Sequence, residues 1–198
     1  MLKLVAVFKK ELKSFLCSPV ALVFFGAYLL ATLFSFFWVE KFFSRNLADV
    51  RPLFEWMPVL MIFLTSAITM RMWSEERRTG TIEFLMTSSA EIWELVLGKF
   101  FACLAIIGLA LAFTLILPFT VNFVAELDWG PVVGGYIATL FLAAGYLSVG
   151  LYVSSRSESQ IESLILSSLI CGFFYILGTD AVTSFFGAEL VMGGASFR

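Results

Sequence analysis

Five long stretches of this chain contain no Asp, Glu, Lys, Arg or His residue, and each is rich in apolar side chains. An ionised side chain at the centre of a bilayer costs about 2.5–3.5 kcal/mol on insertion scales, so charge-free stretches mark where lipid can surround the chain. The stretches lie between Lys13 and Glu40, Glu55 and Arg71, Lys99 and Glu126, Asp128 and Arg156, and Glu162 and Asp180. They predict an all-α polytopic bundle with five membrane-spanning helices.

The lengths of the stretches fit this interpretation. A helix rises about 1.5 Å per residue and the hydrocarbon core is about 30 Å thick, so roughly 20 apolar residues suffice to cross it. The first, third and fourth stretches are longer than that. The second and fifth are shorter, and we expect them to cross because Arg71, Trp73 and Glu162 can reach the headgroup region while their helices continue.

Composition supports a membrane protein. Hydrophobic residues make up 60% of the chain, against about 45–50% in soluble domains. The five tryptophans, Trp38, Trp56, Trp73, Trp93 and Trp129, lie at or just outside the ends of the charge-free stretches, where indole prefers the membrane interface. The chain has no His, and Cys17, Cys103 and Cys171 are widely spaced, so we predict packing roles for these cysteines rather than a metal site.

Local signals place several helix ends. Ser18-Pro19 predicts an N-cap followed by a first-turn proline, and Ser88 with Glu91 predicts a capping box at the start of the third spanning helix. Gly130-Pro131 predicts a break before the fourth span, and Pro118 predicts a kink inside the third.

Basic residues predict the orientation of the helices. If the N-terminus is cytoplasmic, that side carries nine basic residues and the opposite side carries four. The nine are Lys3, Lys9, Lys10, Lys13, Arg71, Arg77, Arg78, Lys99 and Arg156, and the four are Lys41, Arg45, Arg51 and Arg198. This excess predicts a multi-pass protein of the cytoplasmic membrane with its N-terminus inside. The first stretch is too long for the apolar region of a cleaved signal, so we expect it to remain as a span.

Residues 1–17, before the first span, have the pattern of an amphipathic helix. On a helical wheel Lys3, Lys10 and Lys13 point away from an apolar arc formed by Leu4, Val5, Phe8, Leu12, Phe15 and Leu16. This pattern predicts an interfacial helix. Two roles stay open: a simple anchor with its lysines on anionic headgroups, or a helix whose polar face also contacts a cytoplasmic partner.

Residues 74–90, between the second and third spans, are unusually polar for so apolar a chain. The run from Ser74 to Arg78 predicts a continuation of the second helix into water, and Thr79-Gly80-Thr81 predicts a turn. Ile82 to Met86 predicts a short amphipathic piece whose apolar side chains lie on lipid or on another protein. A solvated charge cluster that only enforces topology would not need those apolar residues.

A family resemblance rests on this segment. The stretch MRMWSEERRTGTIEFLMTSSAEIWELVLGKF, with the start FKKELKSFLCSP, strongly resembles ABC-2 type transporter permeases, and most closely the gliding-motility-associated type. In that family an acidic-basic cluster, a Gly-Thr, a Glu and an aliphatic pair precede the third helix. Many relatives carry a proline near Ser89, and this sequence does not. Family members have six spans, so the resemblance implies a single ABC-2 type transmembrane domain over residues 1–198 that lacks the last span.

The resemblance implies that the chain is the permease subunit of an ATP-driven transporter. Residues 74–90 would be a coupling segment that docks on a separate ABC ATPase subunit, which would bind ATP and magnesium. The coupling residues implied are Glu75, Glu76, Arg77, Arg78, Gly80, Thr81, Glu83, Phe84, Leu85 and Met86. The other implied partners are membrane lipid and a second permease subunit, identical or different. No catalytic residue, cofactor, metal site or nucleic-acid contact is expected in this chain.

Other classes of membrane protein fit the residues less well. A membrane enzyme would need ionisable groups at bilayer depth, and the predicted spans contain none. Gly98-Lys99 resembles the end of a Walker A motif, but Phe100 replaces the Ser or Thr, so we predict that Lys99 extends to the membrane interface.

An ion-coupled carrier or a channel-like subunit without an ATPase is the alternative function. Thr65, Ser66 and Thr69 are its densest polar set, and hydroxyls in spans more often bond back to their own helix. The fourth span also carries small residues that predict close helix packing, either within one subunit or between two. These are Gly130, Gly134, Ala138, Ala144 and Ser148.

Overall fold

The computed structural model describes residues 2–39, 51–81, 91–124 and 127–179, and these ranges are helical with no β-strand. The helices are α1 (Leu2–Leu16), α2 (Pro19–Phe34), α3 (Arg51–Thr69), α4 (Ser74–Arg78), α5 (Ile92–Thr114), α6 (Ile116–Val124), α7 (Trp129–Arg156) and α8 (Gln160–Leu177). A π-helical turn, Ser35–Val39, continues α2. The predicted all-α fold is confirmed.

Five helical segments of the described chain are long and apolar enough to cross a membrane. They are Pro19–Trp38, Arg51–Arg78, Ile92–Phe123, Trp129–Arg156 and Gln160–Leu177. Each coincides with one charge-free stretch, so the five predicted spans are confirmed. The second segment is 28 residues long because its helical path starts at Arg51 and continues through α4, well beyond the charge-free stretch. Residues 180–198, after the fifth span, lie outside the described residues.

Two predicted helix ends agree with the structure. Ser18 is the N-cap of α2 and Pro19 occupies the first turn, although the Ser18 hydroxyl is not bonded to its own helix. The third span is interrupted at Leu115, between α5 and α6. Pro118 has no N–H to donate to the carbonyl of Thr114, which explains an interruption at this point.

Two other predicted helix ends are wrong. The N-cap of α5 is Glu91 itself, and the Glu94 carboxylate accepts a hydrogen bond from the Glu91 N–H at 3.4 Å. Glu91 and Glu94 have the same spacing as Ser88 and Glu91, and the capping box lies on Glu91 and Glu94, three residues later than predicted. Gly130-Pro131 lies inside the first turn of the fourth span rather than before it. Helix α7 starts at Trp129, and the Asp128 carboxylate accepts a hydrogen bond from the Gly130 N–H at 3.0 Å.

Helix α3 lies at the centre of the bundle and packs against α2, α7 and α8. Its last turns are continuously buried from Leu64 to Thr69. Thr65 donates to the Met61 carbonyl at 2.7 Å and Thr69 donates to the Thr65 carbonyl at 2.8 Å. As expected, these two hydroxyls bond back to their own helix.

Two glycines of α7 allow α3 to approach closely. A Cβ added at Gly135 would lie 2.6 Å from the Phe54 ring, and one added at Gly150 would lie 3.0 Å from the Thr69 Cβ. Close approach of this kind is how spanning helices gain van der Waals contact in lipid. Gly134, one of the small residues singled out above, has no atom within 4 Å of an added Cβ among the described residues. Packing among the described residues therefore does not use the small size of Gly134.

Helix α1 packs mainly on α5. A Cβ added at Gly98 of α5 would lie 2.8 Å from the Val7 Cγ1, so glycine is needed for this approach. Within the predicted apolar arc, Phe15 is buried while Val5 and Leu16 are exposed. The packed face is displaced toward Val7 and Glu11, and Glu11 is buried.

Candidate functional site

The end of the second span changes direction before it enters the segment 74–90. Helix α3 ends at Thr69, the residues from Met70 to Trp73 form a turn, and α4 follows. The first turn of α4 carries Glu75 and Glu76, and its last turn carries Arg77 and Arg78. This order of charges is favourable for a helix, since its N-terminus is the positive end of the backbone dipole and its C-terminus is the negative end.

The predicted turn at Thr79-Gly80-Thr81 is present. Gly80 has a φ of +69°, in the left-handed region that glycine adopts without strain. Its N–H donates to the Arg77 carbonyl at 3.1 Å, and the Thr79 hydroxyl lies 2.9 Å from the Thr81 hydroxyl. The chain beyond Thr81 leaves the described residues, so the predicted coupling residues Glu83, Phe84, Leu85 and Met86 lie outside them.

Lys99 of α5 is at the centre of a buried charge cluster beside α4. Its side chain is 1% exposed. The Nζ atom lies 3.2 Å from Glu11 Oε1 of α1, 2.8 Å from Glu76 Oε1 of α4 and 2.7 Å from the Met72 carbonyl oxygen. The three acceptors therefore come from three different segments of the chain. We call Lys99, Glu11, Glu76 and the Met72 carbonyl the Lys99 cluster.

The Lys99 side chain is enclosed by protein rather than exposed to lipid headgroups or water, which corrects the prediction that it extends to the membrane interface. The physical reason is the neighbouring Gly98, which lets α1 come close enough to cover the Lys99 side chain. A signal was available in the sequence, because Glu11 lies at the edge of an otherwise apolar arc of α1. An acidic residue at such a position needs a buried cation as partner.

The turn before α4 is fixed from two spans. On one side, Lys99 donates to the Met72 carbonyl and its Nζ lies 4.9 Å from the centroid of the Trp73 ring. On the other side, the Ser154 hydroxyl of α7 accepts from the backbone N–H groups of Trp73 at 3.2 Å and Ser74 at 3.4 Å. Sequence reasoning missed Ser154, because one serine in a serine-rich helix end carries no distinguishing pattern.

A second ion pair lies nearer to solvent. The Arg71 guanidinium donates to Glu75 at 3.1 and 3.3 Å, and it also donates to the Ser18 hydroxyl at the start of α2. The Glu75 side chain is 44% exposed, so this pair contributes little to stability. Arg77, Arg78, Gly80 and Thr81 are exposed.

Among the described residues, no group of three His, Cys, Asp or Glu side chains is placed to hold a metal ion. An apolar cavity of about 470 Å³ lies between α5 and α7, on the side of Trp73 that faces Phe100 and Leu151. Its lining suits hydrocarbon rather than an ion.

A comparison with protein families identifies the family of this chain. The model of the ABC-2 family transporter proteins matches residues 5–192. The chain belongs to the ABC-2 transporter family. No curated protein and no solved structure matches it. With five helices among the described residues that are long and apolar enough to cross a membrane, this ABC-2 protein is a multi-pass ABC transporter permease. The family is a membrane transport component and is generally not itself catalytic. The gliding-motility-associated type is narrower than the matched family and stays a prediction.

Proposed function

We propose that this permease works in an ATP-driven transporter of the cytoplasmic membrane, where residues 74–90 dock on a separate ATPase subunit that binds ATP and magnesium. One observation carries the proposal: α4 and the turn after it are held on one side and exposed on the other. Ser74 and Glu76 face the bundle, whereas Arg77 and Arg78 are exposed. An exposed surface on a fixed base suits a segment that receives force from a partner.

The contacts of α4 define where that force would go. The Met70–Trp73 turn joins α4 to α3, Lys99 joins it to α5 and Ser154 joins it to α7. Movement of the docked segment would therefore reach the second, third and fourth spans together. In this proposal the N-terminus and α4 lie on the cytoplasmic side, and closure of the ATPase subunits drives substrate movement.

The ten implied coupling residues divide into two groups. Glu76 holds the segment through Lys99, Glu75 pairs with Arg71 nearer to solvent, and the remaining residues would meet the partner. Those remaining residues are Arg77, Arg78, Gly80, Thr81, Glu83, Phe84, Leu85 and Met86. Exposed charges would mainly orient the partner, while the apolar residues would supply buried contact area.

Charge reversal tests the docking surface without disturbing the Lys99 cluster. The variant Arg77→Glu with Arg78→Glu should insert normally but recover less ATPase on purification, and added salt should reduce that recovery in the unmodified chain. The variant Phe84→Ser with Leu85→Ser should lose more, because buried anchors contribute more than exposed charges. The matched control is Arg156→Glu, an exposed basic residue at the end of α7 and outside the segment.

The measurements are the amount of chain in the membrane fraction, co-purified ATPase subunit and permease-stimulated ATPase activity. If both segment variants retain wild-type recovery and stimulation, the docking assignment is wrong. If no ATPase co-purifies even with the unmodified chain, the result favours the alternative function, an ion-coupled carrier or a channel-like subunit without an ATPase.

A second permease subunit belongs to the same proposal, because the family resemblance implies two permease subunits in membrane lipid. Two copies of this chain with different affinity tags decide whether the second subunit is identical. Recovery of both tags in one complex supports a homodimer. Recovery of one tag with an ATPase indicates a different second subunit.

A further inference from the structure

We infer that Lys99 is a positioning residue that holds α1 and α4 as one unit, so that α1 is displaced whenever α4 is displaced. The importance of this unit for transport rests on the proposed function, but its existence does not. The inference starts from the donor capacity of the ammonium group. Lysine has three N–H donors, and Lys99 uses them on Glu11, Met72 and Glu76.

The link made by Lys99 matters because α1 and α4 pack mainly on different helices. Helix α1 packs on α2 and α5, whereas α4 packs on α7 and α8. Among the described residues the main packing partners of the two helices are thus different, and the ion pairs of Lys99 bridge the helices. Packing alone would let each helix move without the other.

Lys10 cannot replace Lys99 in this role. Its Nζ lies 3.5 Å from Glu11 Oε1 and 3.9 Å from Glu76 Oε1, but its side chain is 62% exposed. Ion pairs made by so exposed a lysine are weak and screened by salt. Glu11 and Glu76 are only 11% and 13% exposed, so separating either from Lys99 leaves a mostly buried charge without its partner.

Breaking the cluster is therefore more costly than moving it as a unit. A displacement of α4 pulls Glu76, Glu76 holds Lys99, and Lys99 holds Glu11 of α1. The close approach of Val7 to Gly98 keeps α1 against the same turn of α5 that carries Lys99. Two roles were left open for α1. A helix that served only as a membrane anchor would not need these contacts.

Hydrogen exchange on the purified chain in lipid nanodiscs tests the inference without any ATPase. The amides of α1 and of residues 70–81 report local opening of the two elements, and those of α8 serve as an internal reference. In Lys99→Met, both α1 and residues 70–81 should exchange about tenfold faster or more, because each loses a charge-assisted hydrogen bond. The matched control Lys13→Met removes an exposed lysine of α1 and should change neither.

A second variant separates positioning from charge neutralisation. Lys99→Met combined with Glu11→Gln and Glu76→Gln leaves no charge in the Lys99 cluster, so it should fold even if the single variant does not. Faster exchange in both α1 and residues 70–81 of this triple variant supports the positioning role. The positioning role is overturned if either element of the triple variant keeps wild-type protection from exchange. It is also overturned if Lys99→Met speeds amide exchange in only one of the two elements.

The outcome does not depend on the ATPase experiment. If exchange rises in both elements but no ATPase co-purifies with the unmodified chain, the unit exists and the proposed function is wrong. If an ATPase co-purifies and exchange rises in one element only, the positioning role is wrong and the docking assignment stands.

Discussion

Replacing Gly98 with alanine tests whether close packing of α1 on α5 is what encloses the Lys99 cluster. A Cβ at this position would lie 2.8 Å from Val7 Cγ1, 3.0 Å from Val7 Cβ and 3.4 Å from the Leu4 carbonyl oxygen. A rotation of the Val7 side chain relieves only the first of these contacts. The 3.0 Å contact involves the Val7 Cβ, which is fixed to the backbone of α1, so α1 must move outward by a few tenths of an ångström, whereas the 3.4 Å contact with the Leu4 oxygen is close to an ordinary van der Waals distance.

The magnitude follows from two opposing effects. Alanine in a helix interior is favoured over glycine by about 1 kcal/mol. Overpacking at a close contact costs about 1–3 kcal/mol. Gly108, also in α5, has no atom within 4 Å of an added Cβ among the described residues, so Gly108→Ala has the first effect without the second. The difference in the free energy of unfolding between the two variants should therefore equal the energetic cost of the clash, which is about 1–3 kcal/mol.

Unfolding by SDS titration in mixed micelles measures this difference, and trypsin cleavage at Lys9, Lys10 and Lys13 reports whether α1 is docked. Gly98→Ala should unfold at a lower SDS fraction than Gly108→Ala, and its α1 should be cleaved faster. Equal unfolding midpoints and equal cleavage rates for the two variants would refute the close contact between α1 and α5.

Two further predictions concern the turn before α4 and the orientation of the chain. Ser154→Ala leaves two buried backbone N–H groups without their acceptor and should lower the free energy of unfolding by about 2 kcal/mol, as measured by the same titration. Ser155→Ala, whose hydroxyl bonds back to its own helix, should change it by less than about 0.5 kcal/mol, and equal losses would contradict the role of Ser154. In intact cells of a Cys17→Ser background, an impermeant thiol reagent should label Asp128→Cys but not Thr79→Cys, because the basic excess places α4 inside. Labelling of Thr79→Cys without permeabilisation would reverse the proposed orientation.

The approximate positions of the five spans were predictable because their main determinant is local. Each charged residue carries a large cost in hydrocarbon, so charge-free stretches mark the spans, although the helical path of the second span continues past both Glu55 and Arg71. The N-cap at Ser18 and the left-handed turn at Gly80 are also local, since they depend on the backbone preferences of one or two residues. The family was recognisable because its motif in residues 74–86 is contiguous in the chain.

Helix ends with competing signals were less predictable. Ser88 and Glu91 each stand three residues before a glutamate, and nothing in the spacing decides between them. The structure assigns the N-cap to Glu91. Gly130-Pro131 similarly suits both a break and the first turn of a helix, and the cap provided by Asp128 decides for the helix.

The surroundings of Lys99 were decided only by the tertiary structure. Its partner Glu11 is 88 residues away in sequence and Glu76 is 23 residues away, so no local pattern contains the cluster. Hydrophobic periodicity predicts that α1 has an apolar face, but it does not say which helix covers that face. The same holds for glycine: Gly98 is in close contact with Val7, whereas no atom of the described residues lies within 4 Å of a Cβ added at Gly108 of the same helix. Whether a charge is exposed or buried, and whether a glycine is needed or replaceable, depends on which helices meet and at what distance, and only the packed bundle determines that.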